Sequence, residues 1–117
     1  MMKNLVVATL LIGMAVTAKA GTIVYLTGHV VNVESTYMPG RARFYLDKGD
    51  SACPAGMAID WWSSNPNKVA NADNTKAAYS TVLAALLSGR TVTAIYDTAN
   101  VHLEGPGNCK LTFLVIN

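Results

Sequence analysis

One stretch of this chain restricts its possible folds more than any other. From Asp73 to Ser88 no Gly or Pro interrupts a run in which Ala78, Tyr79, Val82, Leu83, Leu86 and Leu87 recur at helical spacing. Asp73 or Asn74 can accept hydrogen bonds from the free N–H groups of the first turn. Gly89 stands where a left-handed residue ends a helix. The opposite side, Lys76, Ser80, Thr81, Ala84 and Ser88, is small and weakly polar. On both sides of this run the apolar pattern returns to a period of about two. The fold must therefore give one helix a place among strands.

"TIVYLTGHVVNV" (22–33) reads as one long strand, with Gly28 as the expected bend or bulge. A Pro39-Gly40 turn follows. "RARFYLD" then alternates, Ala42, Phe44 and Leu46 on one face and Arg41, Arg43, Tyr45 and Asp47 on the other. "MAIDWW" is a third strand, with Met57, Ile59 and Trp61 opposite Asp60 and Trp62. The polar stretch "SSNPNKVANADN" leads into the helix. "TVTAIYD" is the fourth strand, the linker 98–108 is expected to hold a short irregular strand near His102, and "CKLTFLVIN" is the last strand. The order β-β-β-α-β-β predicts a mainly β protein with one helix, specifically an OB-fold, a five-stranded Greek-key barrel whose helix plugs one end. A β-sandwich has no natural place for the helix, and a ferredoxin-like fold needs two.

"MMKNLVVATLLIGMAVTAKA" carries an early lysine, an apolar run and a closing Ala18-Lys19-Ala20, the pattern of a cleaved export signal. Residues 21–117 are then expected to form one exported domain, periplasmic or secreted, with no membrane span. The nine Lys and Arg of the full sequence outnumber its seven Asp and Glu. Lys3 and Lys19 leave with the signal, so seven of each remain and no basic run is left to follow a phosphate backbone. Nucleic acid is not an expected partner. In an oxidising compartment the two cysteines, Cys53 and Cys109, are expected to form one disulfide. Closing that loop is worth roughly 3–4 kcal/mol in the chain-entropy model.

The residues do not assemble a reaction. His29 and His102 are isolated, no serine has a nucleophile-elbow context, and Asp47, Asp60 and Asp97 are not placed as a carboxylate pair. Neither an enzyme, a cofactor nor a metal site is expected. Binding is the better direction. Trp62 beside Asp60 on an outward face, with Arg43 and Tyr45 on another strand, offers the aromatic faces and polar groups that suit a sugar.

"SAC" at 51–53, the helix, "SGRTV" at its exit and "AIYD" in the next strand resemble the B subunits of bacterial AB5 toxins, nearest the subtilase cytotoxin and typhoid-toxin-like type. The likeness covers about half of the exported part and its motifs are short. It implies a homo-oligomeric ring, a pentamer, with helices around a central channel, a host glycan as ligand and a catalytic A subunit as partner. Ala77, Thr81, Ala84 and Ser88 would then form the interface between helices. Tyr96 and Asp47 correspond to the family's glycan-binding residues, and Thr22 stands in for an arm this sequence lacks. The family's additional cysteines are absent here. The alternative is a monomeric or dimeric periplasmic OB-fold domain that binds a protein or small ligand.

Overall fold

The computed structural model describes residues 21–64 and 72–117; the export signal expected at 1–20 lies outside them. The first strand, β1 (Ile23–Glu34), is long enough to serve two halves of the sheet. Its first half pairs antiparallel with β4 (Thr91–Asp97), from Ile23 opposite Asp97 to His29 opposite Thr91. Its second half pairs with β2 (Arg41–Leu46), from Val30 opposite Leu46 to Glu34 opposite Arg43. The bulge expected at Gly28 falls instead between Val30 and Asn32. Gly28 has a different duty: a Cβ there would come within 2.8 Å of the Asp47 carboxylate. The glycine makes room for that side chain.

The alternation expected in β2 and β4 is present. Ala42, Phe44 and Leu46 point into the core from β2, and Val92, Ala94 and Tyr96 from β4. Beside β2 runs β3 (Ala58–Trp62), antiparallel, and beside β3 runs β5 (Asn108–Lys110), parallel. At the far end β6 (Phe113–Ile116) pairs antiparallel with β4. The order is β5-β3-β2-β1-β4-β6, a six-stranded mixed sheet. A single fifth strand was expected from "CKLTFLVIN". It is broken at Leu111-Thr112, where the Leu111 N–H donates to the Asp60 carbonyl of β3 and the next N–H donates to the Ile95 carbonyl of β4. Consecutive residues thus serve opposite ends of the sheet. No strand forms near His102; residues 98–107 are turns anchored by buried Val101, whose carbonyl accepts the Lys110 N–H.

The helix α1 (Ala72–Ser88) packs across the sheet, chiefly on β1 and β2, and Gly89 ends it at φ +72°. Its buried face is Thr75, Ala78, Val82 and Ala85. Two leucines assigned to the core are outside it: Leu86 is 36% and Leu87 80% exposed. The buried residues fix which side of the helix meets the sheet, and Leu86 and Leu87 fall outside it. Leu87, five residues after Val82, faces away from it. Cys53 and Cys109, 56 residues apart with Cα atoms 6.1 Å apart, form a disulfide between the loop before β3 and β5. No helix among the described residues is long and apolar enough to cross a membrane.

This reversal of roles has a measurable consequence. Val82→Ala should destabilise the protein by about 2 kcal/mol, from lost burial and the cavity left behind. Leu87→Ala should stay within about 0.5 kcal/mol of the parent. Urea denaturation of the two variants measures both.

Candidate functional site

The register of β2 and β3 builds the site. Arg43 lies opposite Asp60 and Arg41 opposite Trp62, all on the face away from the helix. Such directly opposed side chains are close enough to interact. The Arg43 guanidinium donates from Nε to Asp60 Oδ1 at 2.8 Å and from Nη2 to Oδ2 at 2.9 Å. Asn108 of β5 donates its amide to Oδ2 at 2.7 Å. The hydrogen bonding of Arg43 to Asp60, with the Asp60 charge behind it, raises the Arg43 pKa above its ordinary value against the opposing effect of burial. Asp60 is fully buried, at 0% exposure, and its carboxylate is occupied by these partners.

Arg41 has no such partner. Its Nη1 is 3.8 Å from Asp60 Oδ2, and its buried Nε has no hydrogen-bond partner among the described residues. Its guanidinium instead stacks on Tyr37 at 3.9 Å and on Trp62 at 4.7 Å. Tyr37 also lies over Arg43 at 4.7 Å, so one ring covers both cations. The Trp62 Nε1 is likewise buried without a partner among the described residues. At the edge of the group the Tyr45 hydroxyl donates to Glu34 Oε2 at 3.2 Å, and burial, then that hydrogen bond, pushes the phenol pKa up. A fixed carboxylate therefore anchors Arg43 and attracts Arg41 beneath an exposed aromatic ring, while the unpaired Arg41 Nε and Trp62 Nε1 lie below the surface. The exposed ring can stack on a ligand, and the part-exposed guanidinium groups lie beside it.

Of the residues singled out in the sequence, Trp62 and Asp60 meet here, with Arg43 and Tyr45 beside them. Asp60 is beneath the surface, where Arg43 and Asn108 occupy its carboxylate. The other three are not brought together. Tyr96 is 1% exposed, and its hydroxyl donates to Asp50 Oδ2 beneath the loop that holds Cys53. Burial, then that hydrogen bond, raises its pKa. Tyr96 is a core residue with one polar anchor. Asp50 also accepts the N–H groups of Ala52 and Cys53, at 3.0 and 2.7 Å, and so fixes the loop to the core.

Asp47 sits at His29, accepting its backbone N–H at 2.8 Å and facing its ring at 3.2 Å. The backbone hydrogen bond is the main cause of its lowered pKa. That contribution is present above the ordinary aspartate pKa and is lost as the pH falls through the lower, folded value. Thr22 lies seven residues back along the chain, about 20 Å away at strand spacing, bonded to Thr98. Tyr96 pairs with Val24 between them.

Two residues of this face carry no motif of their own in the sequence. Tyr37 lies in the "STYMPG" turn, where its sole signal was an aromatic residue just ahead of a basic strand. Asn108 had no local signal, because its role depends on the parallel pairing of β5 with β3. On the helix, Ala77, Ala84 and Ser88 are exposed and Thr81 is half-buried, its hydroxyl donating to the Ala77 carbonyl at 2.9 Å. No family model, curated protein or solved structure matches this chain.

The placement of Tyr96 is testable. Tyr96→Phe removes one hydrogen bond to a carboxylate and should cost about 1–2 kcal/mol in thermal or urea unfolding. Burial of the ring should be unchanged, so near-ultraviolet circular dichroism should keep its folded signature.

Proposed function

We propose that this protein is an exported, non-enzymatic binding subunit that recognises a glycan through the Tyr37–Arg41–Trp62 face and assembles as a ring, with a pentamer as the expected size. The observation that carries the reading is that face itself: Tyr37, 39% exposed, lies over two cations held by one buried carboxylate. A sugar presents C–H groups to such a ring and hydroxyls to the part-exposed guanidinium groups of Arg41 and Arg43 beside it. Order in the bound state costs little, because Arg43 and Asp60 are already fixed.

The fold proposed is an OB-fold. In support, the helix falls between the third and fourth strands and the first strand serves both halves of the sheet. β5 and β6 are then the halves of one bent fifth strand, parallel to β3 and antiparallel to β4. The resemblance to AB5 toxin B subunits agrees with this reading and carries with it the proposal of a catalytic A subunit as partner. The disulfide suits an exported protein.

Assembly is supported by the outer face of β1, β4 and β6. Tyr25, Ile95 and Phe113 stand in one cross-strand row, with Ile23 and Val115 nearby. Tyr25 is 69% exposed, and Ile23, Phe113 and Val115 are also exposed. An apolar sheet face of this kind marks a protein contact. The same face favours the second reading, a periplasmic domain whose partner is a different protein.

Two measurements decide between these readings. A glycan array probed with the exported form should return saccharide ligands whose affinity falls about tenfold or more, ~1.4 kcal/mol, in Tyr37→Ala. Retained affinity in that variant, or an array without binders, overturns glycan recognition at this face. Native mass spectrometry should show a closed oligomer, with five copies expected. A monomer at micromolar concentration removes the ring and leaves the second reading.

A further inference from the structure

The two edges of the sheet, β5 and β6, are finished differently. At β5 the outward N–H of Lys110 donates to the Val101 carbonyl at 2.8 Å, and the buried lysine side chain reaches Glu104 at 3.0 Å. The turns at 98–107 therefore close that edge. At the other, β6 reads Phe-Leu-Val-Ile, without the charges or prolines that ordinarily block an edge strand.

The hydrogen-bond pattern fixes which main-chain groups of β6 are free. The Asn117 N–H donates to the Thr91 carbonyl, so in this antiparallel register Val115 and Phe113 also direct their main-chain groups to β4. The N–H and C=O groups of Leu114 and Ile116 point the other way, out of the sheet, and no group among the described residues pairs with them there. Two donors and two acceptors at alternate positions of an apolar strand are a template for another strand.

We infer that the strand this edge takes is β6 of a second copy, turned antiparallel about Val115, so that two sheets become one. In that register Leu114 exchanges both hydrogen bonds with the partner's Ile116, and Ile116 with the partner's Leu114, which uses every free group on both edges. Val115, 48% exposed, meets the partner's Val115 on the outer face. Leu114 and Ile116, already packed against the core, extend its apolar layer across the junction. The closed β5 edge offers no head-to-tail alternative, which makes the contact two-fold. Residues 21–117 carry seven basic and seven acidic side chains, so two copies meet without net repulsion. This contact does not depend on glycan recognition; added to a ring, it joins two rings.

Val115→Cys tests the register. As a non-hydrogen-bonded pair, the two residues at 115 have Cα atoms about 4.5 Å apart, within disulfide reach. Cys53 and Cys109 are both buried and do not compete. At micromolar concentration with diamide, Val115→Cys should run mainly as a covalent dimer on non-reducing gel electrophoresis. Phe113→Cys, on the same face, should stay monomeric, because each residue 113 lies opposite the partner's Asn117 and about 13 Å from its counterpart. Leu87→Cys, at an exposed helical position, sets the level of chance collision. Ile116→Pro removes an outward N–H and no bond to β4. Combined with Val115→Cys it should abolish the cross-link, while near-ultraviolet circular dichroism keeps its folded signature. Val115→Cys that cross-links no more than Leu87→Cys overturns the pairing, as does equal cross-linking in Phe113→Cys or an undiminished cross-link with Ile116→Pro. Native mass spectrometry of Ile116→Pro, with this edge blocked, reads ring assembly separately.

Discussion

Consecutive amides of Leu111 and Thr112 bind carbonyls at opposite ends of the sheet, and the rest of the structure is arranged around that division. Up to Leu111 the chain belongs to β3, and after Thr112 it belongs to β4. Neither part would hold an edge alone, with three residues in β5 and four in β6. Each is secured by something outside the ladder. β5 is tied by the disulfide from Cys109 to the loop before β3, and by Asn108 to the Asp60 carboxylate. β6 is followed by Asn117, whose backbone N–H donates to the Thr91 carbonyl and whose side chain donates to the Thr91 and Thr93 hydroxyls. The helix then covers the interval between them.

Asp60 makes the register of the central strands unforgiving. A one-residue slip of β3 would exchange its faces, turning Asp60 and Trp62 inward and Ile59 and Trp61 outward. That would place an unpaired carboxylate against Phe44 and Val82, at a cost of several kcal/mol. In the observed register the same carboxylate is met by a bidentate guanidinium and an amide. Its burial adds little net stability on such terms, but it removes the nearest competing alignment. The Tyr37 and Trp62 rings complete this arrangement by shielding Arg41, whose charge Asp60 only partly offsets. Specification of the fold and construction of the outer face thus use the same four side chains: Arg41, Arg43, Asp60 and Trp62.

How much of this could be read in the sequence varied with how local each signal was. Alternation in 41–46 and 91–97 predicts the right faces, because a strand with one buried side has no other way to place its apolar residues. Gly89 predicts the end of the helix, since its positive φ is a local requirement. The parity of "MAIDWW" places Asp60 and Trp62 outward together, and the partner strand supplies Arg43 and Tyr45. The helix was harder. Apolar periodicity places Ala78 and Val82 inward correctly but adds Leu86 and Leu87, whereas the helix completes its contact with the sheet through Thr75 and Ala85. The break in "CKLTFLVIN" left no local trace, because its cause is a change of partner between strands distant in sequence. Tyr96 alternates with Val92 and Ala94, and that parity carries it into the core rather than to a binding surface.

Trp61 and Trp62 show how two unlike environments arise from one strand end. Successive side chains of a strand point to opposite faces. Trp62 therefore stacks on Arg41 outside the sheet while Trp61 reaches under the helix towards Leu114. The backbone between them is fixed by the pairs Arg41–Trp62 and Ala42–Trp61, and the next amide, of Ser63, donates to the Gly40 carbonyl at 2.9 Å. Neither ring can change its depth without disturbing that ladder. Each can still lose or gain a contact at its own face, because the two side chains lie on opposite sides of the sheet. The outer face and the helix side of the sheet thus differ in chemistry and share one stretch of main chain, a direct result of placing two tryptophans side by side at the end of β3.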